Sequence, residues 1–311
     1  MPNYFMQTSQ TIASLDLGSN SFHLLIADIE HNSFRPVYSN GWRTQLGLSL
    51  DSERLTAAAI ERGLKCLKEL RLILDKYHVT TVMAVGTAAL RNAKNSEDFI
   101  CPAEVILGSS IKIISGIDEA QLIYSGVTHL MPVDDRLVID IGGASTELIQ
   151  RQQGRPPQPY SLAIGCLSHC QEFYRQPDID VGKFDRSIVA ARTKIKRVKP
   201  LFTTRQQAVV GCSGVIDAVQ NVLANNHWGT IITFDGLKQA RQHATANFQH
   251  IDDVNYKGLK EDRRHLYLSG LAIIIALFEE LEIASIEHVS AALKEGIIAR
   301  FIEQQSAGRS E

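Results

Sequence analysis

Asp16-Leu17-Gly18-Ser19-Asn20-Ser21 and Asp140-Ile141-Gly142-Gly143-Ala144-Ser145 are two copies of one short turn, one near the start of the chain and one near its middle. An apolar run precedes each turn, and a second apolar run follows it at the same spacing. The chain therefore repeats a strand, an Asp-x-Gly turn and another strand, which is the pattern of an internal structural repeat. The predicted strands are residues 11–15, 22–27, 136–139 and 146–149.

Both turns have the chemistry of a phosphate-binding loop. Glycine and small residues allow successive backbone N–H groups to converge on an anion. The leading aspartate places a carboxylate beside that anion, where a divalent cation can bridge the two charges. One such turn is equally typical of a tight hairpin with an Asp cap. Two matched copies favour phosphate bound in a cleft between two halves of the molecule.

A third turn of small residues, Cys212-Ser213-Gly214, follows a predicted strand at Ala208–Gly211 and precedes a helix that begins at Val215. Backbone N–H groups at a helix N-terminus favour anions, so this turn is a further candidate for phosphate. The three turns together give the predicted phosphate-binding residues Asp16, Ser19, Asn20, Ser21, Gly143, Ala144, Ser145, Cys212, Ser213 and Gly214.

Strands alternate with helices in both halves, which predicts an α/β fold. The first half is predicted to contain a helix at 55–77, strands at 81–86 and 111–115, and a helix from 116 to about 129. Arg91 and Glu119 each follow the carboxyl end of a strand, where ligand groups gather in open α/β sheets. The alternatives are a surface ion pair for Arg91 and a favourable helix-dipole position for Glu119.

The second half contains further predicted loops and helices. The predicted features are a hinge at 131–135, an exposed loop at 153–159, a long helix capped by Asp262 and ending at Leu281, an amphipathic helix at 292–302, and a frayed polar tail at 304–311. The longest apolar segment, residues 266–278, is shorter than the roughly 20 residues needed to cross a bilayer. We therefore expect it to be a buried core helix.

Length and composition favour some classes of protein over others. A chain of 311 residues with 44% hydrophobic residues has enough material for two domains. Its formal net charge of −2 does not suggest nucleic acid as a partner. The five cysteines are scattered, and no signal peptide precedes the first predicted strand, so we expect a cytoplasmic protein with no disulfide framework and no membrane partner.

Seven stretches carry a resemblance to a known family. They are DLGSNSFHLLIADI (16–29), GTAALRNAKN (86–95), SGIDEAQLIYSGV (115–127), DIGGASTELI (140–149), GCSGV (211–215), DRRHLYLSGLAI (262–273) and ALKEG (292–296). In them the chain resembles the exopolyphosphatase and guanosine pentaphosphate phosphohydrolase (Ppx/GppA) family of the actin, sugar kinase and Hsp70 superfamily. The resemblance implies two actin-like (ribonuclease H-like) domains, 1–130 and 131–311, with a cleft between them and a final helix that packs back on the first.

The resemblance also supports roles for individual residues. Glu119 is the candidate that orients or deprotonates a water molecule for in-line attack on phosphorus. Asp140 and Glu147 flank the second turn and are the predicted ligands of Mg²⁺, a cation that usually keeps several waters. Asp16 can contribute from the facing domain. The planar guanidinium of Arg91 matches two phosphate oxygens.

The function implied is a magnesium-dependent phosphohydrolase. It would remove the terminal phosphate of inorganic polyphosphate, or convert guanosine pentaphosphate to guanosine tetraphosphate. Ala144 and the stretch 61–67 are more similar to the guanosine pentaphosphate branch, and the family implies a homodimer. Two alternatives remain open at this point: a small-molecule kinase of the same superfamily and a non-catalytic sensor of guanosine alarmones.

Some features depart from the family pattern or admit a plainer interpretation. Asp118 stands where a second Glu is common, and Val215 replaces a Thr that would offer a hydroxyl to phosphate. The Cys166, His169 and Cys170 spacing resembles half a zinc site, but we favour ordinary core residues. The basic residues at 192–199 are interpreted as a solvated helix face, with a polyphosphate track as the alternative. Arg263 and Arg264 are interpreted as helix-end anchors, with phosphate contact as the alternative.

Overall fold

The computed structural model describes residues 10–48, 53–131, 135–152, 154–202 and 207–307. Its first sheet has five strands in the order β3-β2-β1-β4-β5. They are β1 (Thr11–Leu17), β2 (Ser21–Glu30), β3 (Ser33–Arg43), β4 (Thr81–Gly86) and β5 (Ile111–Ile113). Strand β1 pairs antiparallel with β2 and parallel with β4.

The second sheet repeats this arrangement and adds one strand. Its order is β10-β11-β9-β6-β7-β8. The strands are β6 (Arg136–Ile141), β7 (Thr146–Arg151), β8 (Gln158–Leu162), β9 (Ala208–Gly211), β10 (Ile232–Thr233) and β11 (Ser285–His288). Strand β6 pairs antiparallel with β7 and parallel with β9, as β1 does with β2 and β4. The internal repeat seen in the sequence therefore extends to topology, and the predicted α/β class is confirmed.

Helices cover both sheets. They are α1 (Ala57–Lys76), α2 (Ala88–Asn92), α3 (Glu97–Leu107), α4 (Gly116–Leu130), α5 (Cys166–Phe173), α6 (Val181–Lys196), α7 (Gly214–Asn225), α8 (Phe234–Asn247), α9 (Arg264–Leu281) and α10 (Leu293–Ala307). Helix α9 is buried along almost its whole length, which confirms the predicted core helix. Among the described residues, no helix is long and apolar enough to cross a membrane.

The last helix returns to the first half of the molecule. Helix α10 packs against α4 and β1. The two helices cross where Gly126 faces Gly296: a Cβ on Gly126 would lie only 2.8 Å from the backbone nitrogen of Gly296. The boundary proposed at residue 130 separates the strands of the two sheets and stays a prediction. Of the hinge proposed at 131–135, residues 132–134 lie outside the described part.

Three local predictions are wrong. Asp262 does not cap α9, because a 3₁₀ turn, Glu261–Arg263, leads into the helix and Arg263 occupies the N-cap position. Strand β8 begins inside the loop predicted at 153–159. Its Pro159 is tolerated because β8 lies at the edge of the sheet, where a missing N–H costs little. The tail predicted to fray from residue 304 stays helical to Ala307, and residues 308–311 lie outside the described part.

Candidate active site

The first turn joins β1 to β2 and is held by backbone hydrogen bonds. The carbonyl oxygen of Asn20 accepts from the N–H groups of Thr44 at 3.1 Å and Gln45 at 2.8 Å. The carbonyl oxygen of Ser19 accepts from Gly47 N–H at 2.8 Å. These bonds fix the carbonyl groups of the turn against the segment after β3, so the turn keeps one conformation.

The second turn joins β6 to β7 and is held against helix α5. Gly142 N–H donates to the Ser145 carbonyl at 2.9 Å, which closes the turn. The carbonyl oxygens of Gly142 and Gly143 accept from the N–H groups of Cys166 at 2.9 Å and Leu167 at 2.8 Å. The first residues of α5 therefore satisfy this turn as residues 44–47 satisfy the other.

The two turns face each other at contact distance. A Cβ placed on Gly143 would lie 3.0 Å from the Cβ of Ser19 and 3.2 Å from the backbone nitrogen of Asn20. Only glycine permits so close an approach, because any side chain here would push the two halves apart. The structure therefore brings together the two turns that the sequence predicted to share one phosphate chain.

The side chains of the third turn make more structural contacts than the sequence predicted. Ser213 caps α7, and its Oγ accepts from Ile216 N–H at 3.3 Å. The Cys212 thiol donates to the Ile139 carbonyl at 3.6 Å. The guanidinium of Arg263 lies over Gly214, 2.8 Å from where a Cβ would be. The side chains of this turn are thus already engaged, and its phosphate role stays a prediction.

A cleft of about 490 Å³ opens between the two halves at these turns. Every residue predicted for phosphate, metal or catalysis lines it except Arg91, which lies behind Glu119. The cleft is also lined by His23, Lys260, Arg263 and Lys294, which the sequence analysis did not assign to the site. The predicted residues, distant in sequence, thus come together in one cavity.

Glu119 is presented from the first turn of α4. Ser115 and Asp118 form a capping box that fixes the start of this helix. The guanidinium of Arg91 donates to Glu119 Oε2 at 3.2 Å and to the Ile114 carbonyl at 2.8 Å. Burial raises the pKa of Glu119 to about 8, and Asp16 adds to the rise while Arg91 opposes it. Arg91 is therefore a partner of this carboxylate, whereas the sequence suggested direct contact with phosphate.

Asp140 and Glu147 are directly opposite each other in the register of β6 and β7. Burial raises the pKa of Asp140 to about 7, and the nearby Asp16 contributes. Burial, with the charges of Glu119 and Asp140, also holds the pKa of Glu147 well above its usual range. Four carboxyl groups thus converge on one cleft, where their negative charges oppose each other.

This donor set fits a divalent cation. Mg²⁺ binds proteins through one or two carboxylates and completes its shell with water and substrate phosphates. Asp16 Oδ1 and Asn20 Oδ1 are both buried beside the cleft without a hydrogen-bond partner. A cation would offset the repulsion between the carboxylates and a bound phosphate chain. Among the described residues, no three His, Cys, Asp or Glu side chains are arranged as a metal cluster on their own.

Three residues that act directly on the carboxyl groups of the site were missed by the sequence analysis. Ser161 on β8 donates to Glu147 Oε1 at 2.8 Å. His23 Nδ1 lies 3.5 Å from Asp16 Oδ2, and Lys294 lowers the pKa of Asp140 by its charge. His23 and Lys294 belong to stretches that carry the family resemblance, so their position there was an available signal. Ser161 had none, because Pro159 obscured its strand.

The basic residues at 192–199 do not line the cleft. Arg192 pairs with Glu279 at 3.3 Å and with Glu280 at 2.8 Å. Ion pairs also engage Lys194 and Lys199, with Glu172 and Glu282. These pairings make a polyphosphate track on this surface less favourable.

The zinc-like motif and the second arginine have structural partners as well. His169 Nε2 lies 3.0 Å from the Ser187 carbonyl, and the Cys170 thiol donates to the His265 carbonyl at 3.2 Å. Arg264 donates to Asn255 Oδ1 at 3.1 Å, whereas Arg263 lines the cleft. Of the two arginines, only Arg263 lies where a phosphate ligand would.

The repeated sheets and the cleft lined by two facing Asp-x-Gly turns define a two-lobed α/β protein with a candidate site for phosphate. The family model of the Ppx/GppA phosphatase family matches residues 25–305. The chain belongs to this family, and membership supports a phosphohydrolase activity.

Solved structures share the fold. An exopolyphosphatase from Cytophaga hutchinsonii aligns with a TM-score of 0.85 at 24% identity, over 95% of this chain and 98% of that chain. The Aquifex aeolicus member of the Ppx/GppA family aligns with a TM-score of 0.76 at 24% identity, over 95% and 98% of the two chains. An exopolyphosphatase-like protein aligns with a TM-score of 0.86 at 21% identity, over 96% and 100%. At these identities the likeness shows the fold alone.

Proposed function

We propose that the protein is a magnesium-dependent phosphohydrolase that removes the terminal phosphate of inorganic polyphosphate, of guanosine pentaphosphate, or of both. The observation that carries this proposal is the contact between the turns at Ser19–Asn20 and Gly143 beside the Arg91–Glu119 pair. Phosphate-binding turns from both halves and a buried carboxylate therefore open into the same cleft. A phosphate chain held between the turns would present its end phosphoryl group to Glu119.

The residues of the chain have separable roles in this reaction. Backbone N–H groups and hydroxyls of the two turns hold phosphate oxygens, as preorganised donors that need no rearrangement during the reaction. Glu119 orients the attacking water and accepts its proton, and Arg91 fixes the direction of that carboxylate. Asp140 and Glu147 would hold Mg²⁺, which supplies positive charge to the phosphate oxygens.

The direct test is release of orthophosphate by the purified protein with Mg²⁺. Polyphosphate, guanosine pentaphosphate and ATP are compared as substrates at equal concentration. We expect release from at least one of the first two and little from ATP. Binding of guanosine pentaphosphate without release would instead favour a sensor. Transfer of the ATP γ-phosphate to an added small molecule would favour a kinase.

The metal assignment has its own test. Asp140→Asn and Glu147→Gln should each raise the Mg²⁺ concentration for half-maximal activity by about 10-fold or more, because each removes one charged ligand. Asp217→Asn is the control, since Asp217 lines the same cleft but bonds to Asn221. An unchanged metal requirement in both single variants would contradict the assignment.

Three further statements are also proposals. The family resemblance implies a homodimer and, through Ala144 and residues 61–67, a place in the guanosine pentaphosphate branch, and the scattered cysteines favour the cytoplasm. Light scattering after size exclusion tests the first. The ratio of kcat/KM for guanosine pentaphosphate to that for polyphosphate tests the second, and a ratio below one would place the chain in the polyphosphate branch.

A further inference from the structure

Ser161 contacts the candidate metal ligand Glu147 from the neighbouring strand. The two residues are directly opposite in the register of β7 and β8. The Ser161 hydroxyl donates to Glu147 Oε1 at 2.8 Å. The side chain of Glu147 is almost completely buried, and Ser145 of the second turn is its other side-chain hydrogen-bond partner. The neighbouring Tyr160 packs on Phe202, with ring centroids 5.2 Å apart.

The same serine also touches the helix that carries Glu119. A Cβ placed on Gly116, the first residue of α4, would lie 2.6 Å from the Cβ of Ser161. The Arg91 guanidinium lies 3.8 Å from that same point. The Ser161 side chain is therefore enclosed between Glu147 in the second half of the molecule and the start of α4 in the first half.

We propose that Ser161 is a positioning residue. It fixes the orientation of Glu147 for a divalent cation and holds that carboxylate at a constant position relative to helix α4. The inference rests on the metal site of the proposed function and names the residue that holds it in place. A carboxylate ligand whose second partner is fixed loses less conformational freedom when it binds a cation. Since the partner packs on Gly116, the metal ligand and Glu119 would keep a constant relative position.

The test is Mn²⁺ binding to the intact protein without substrate, followed by electron paramagnetic resonance of free Mn²⁺. Ser161→Ala should weaken binding by about 10-fold, the lower end of the range for a lost partner of a metal ligand. Tyr160→Phe is the matched control, because it removes a hydroxyl from the adjacent residue of the same strand. It should leave Mn²⁺ affinity unchanged.

A second variant perturbs the same contact without removing the hydroxyl. Gly116→Ala places a methyl group against Ser161 and displaces its side chain, so Mn²⁺ binding should weaken although the serine is present. Thermal unfolding followed by circular dichroism shows that each variant is folded. For Ser161→Ala, kcat at saturating Mg²⁺ should return to within about 2-fold of wild type, because the Cβ that packs on Gly116 is kept and only the hydroxyl bond to Glu147 is lost. A general structural defect would lower kcat at every Mg²⁺ concentration.

The outcomes separate this inference from the proposed function. Wild-type Mn²⁺ affinity in folded Ser161→Ala, or no Mn²⁺ binding by the wild-type protein, overturns the inference. If phosphate is still released from polyphosphate in those cases, the phosphohydrolase activity stands. If Ser161→Ala loses Mn²⁺ affinity but the wild type releases no phosphate from any substrate, the proposed function fails and the positioning role stands.

Discussion

Glu119 has a carboxyl group whose surroundings oppose its ionisation, and a general base must ionise to act. Its pKa is raised to about 8, and Arg91 is the cation that counters this rise. Glu119→Gln removes basicity but little volume, so turnover should fall at least 100-fold, within the roughly 10²–10⁴-fold effect of a general base. Binding of a phosphate-chain analogue, followed by calorimetry, should be nearly unchanged.

The neighbouring Asp118 provides the control for that variant. Asp118→Asn weakens the capping box with Ser115 and should cost about 1 kcal/mol of stability, yet it should leave most of the activity. If Glu119→Gln retains more than about a tenth of wild-type kcat, Glu119 is not the base.

The sequence correctly predicted the relative placement of residues that are close together in the chain. Asp140 and Glu147 are seven positions apart across a short turn, so strand pairing had to place them opposite each other. The sequence did not predict the partners of side chains whose role depends on packing between elements. Arg91 turns toward Glu119, and Ser213 serves as a helix cap. Which partner a polar side chain takes depends on distances across the fold that no sequence spacing encodes.

At the scale of elements, the crossing of α4 and α10 holds the helix that carries Glu119 in place. A Cβ on Gly296 would lie 2.5 Å from the carbonyl carbon of Leu122 and 3.1 Å from the nitrogen of Gly126. Gly296→Ala should therefore force the helices apart and lower the free energy of unfolding by about 1–3 kcal/mol, the usual cost of overpacking. Urea unfolding followed by circular dichroism measures the change.

An exposed glycine at the start of another helix is the control for that crossing. A Cβ on Gly182 of α6 would lie 3.1 Å from Asp180 Oδ1, the N-cap acceptor, and 3.3 Å from the Arg186 guanidinium, with no backbone atom outside the helix as close. Gly182→Ala should change stability by less than about 1 kcal/mol, because the better helix propensity of alanine offsets the crowding at the cap. Equal effects at both positions would show that the α4–α10 crossing has no special packing constraint.

Elements with a strong internal pattern were predicted well from sequence. The strands at Thr81–Gly86 and Ala208–Gly211 are reproduced to the residue, and the helix expected at 55–77 is shortened by only a few positions. The failures lie where an element depends on its neighbours. Strand β8 exists because β7 pairs with it, although its own sequence contains Pro159. The start of α9 is set by a 3₁₀ turn, where the sequence offered Asp262 as a cap.

For the whole molecule, the cluster of buried carboxyl groups links stability to pH and to cations. The pKa values of Glu119 and Asp140 are raised to about 8 and about 7, so the folded state holds these protons more tightly than the unfolded state. Protonation of Glu119 and Asp140 therefore contributes to folding stability. The contribution is fully present below pH 4, near the pKa values of these groups in the unfolded chain, and is lost as pH rises through the folded pKa values of about 7 and 8. His169 and His265 have pKa values lowered to about 4, so their contribution changes only below about pH 6.5.

Without divalent cations, the free energy of unfolding should therefore fall by on the order of 1 kcal/mol between pH 6.5 and 8.5. Millimolar Mg²⁺ should recover the loss at pH 8.5 and have a smaller effect at pH 6.5, because the cation binds the ionised carboxylates. Urea unfolding in EDTA and in Mg²⁺ gives both values. In Asp140→Asn both effects should shrink, and a wild-type stability that does not depend on Mg²⁺ at pH 8.5 would contradict the cation site.

Some contacts join the two halves and would form when the cleft closes and break when it opens. The side-chain amide of Gln171 donates to the Leu48 carbonyl, and Arg43 Nη2 lies 2.9 Å from His265 Nε2. With Gly143 against Ser19, these contacts describe a closed arrangement. A phosphate chain can stabilise this arrangement only if it binds the closed form more tightly, because the closed form offers both turns and an open form only one.

A non-hydrolysable polyphosphate analogue with Mg²⁺ should therefore shift the population toward the closed form. We expect a smaller radius of gyration in solution scattering and slower hydrogen exchange at residues 16–21 and 140–146 together. Glu119→Gln should show both changes, since it removes the base and leaves the turns intact, whereas Asp140→Asn should need more Mg²⁺ to reach them. Protection of one turn alone at saturating ligand, without compaction, would show that the two repeats do not share one phosphate chain.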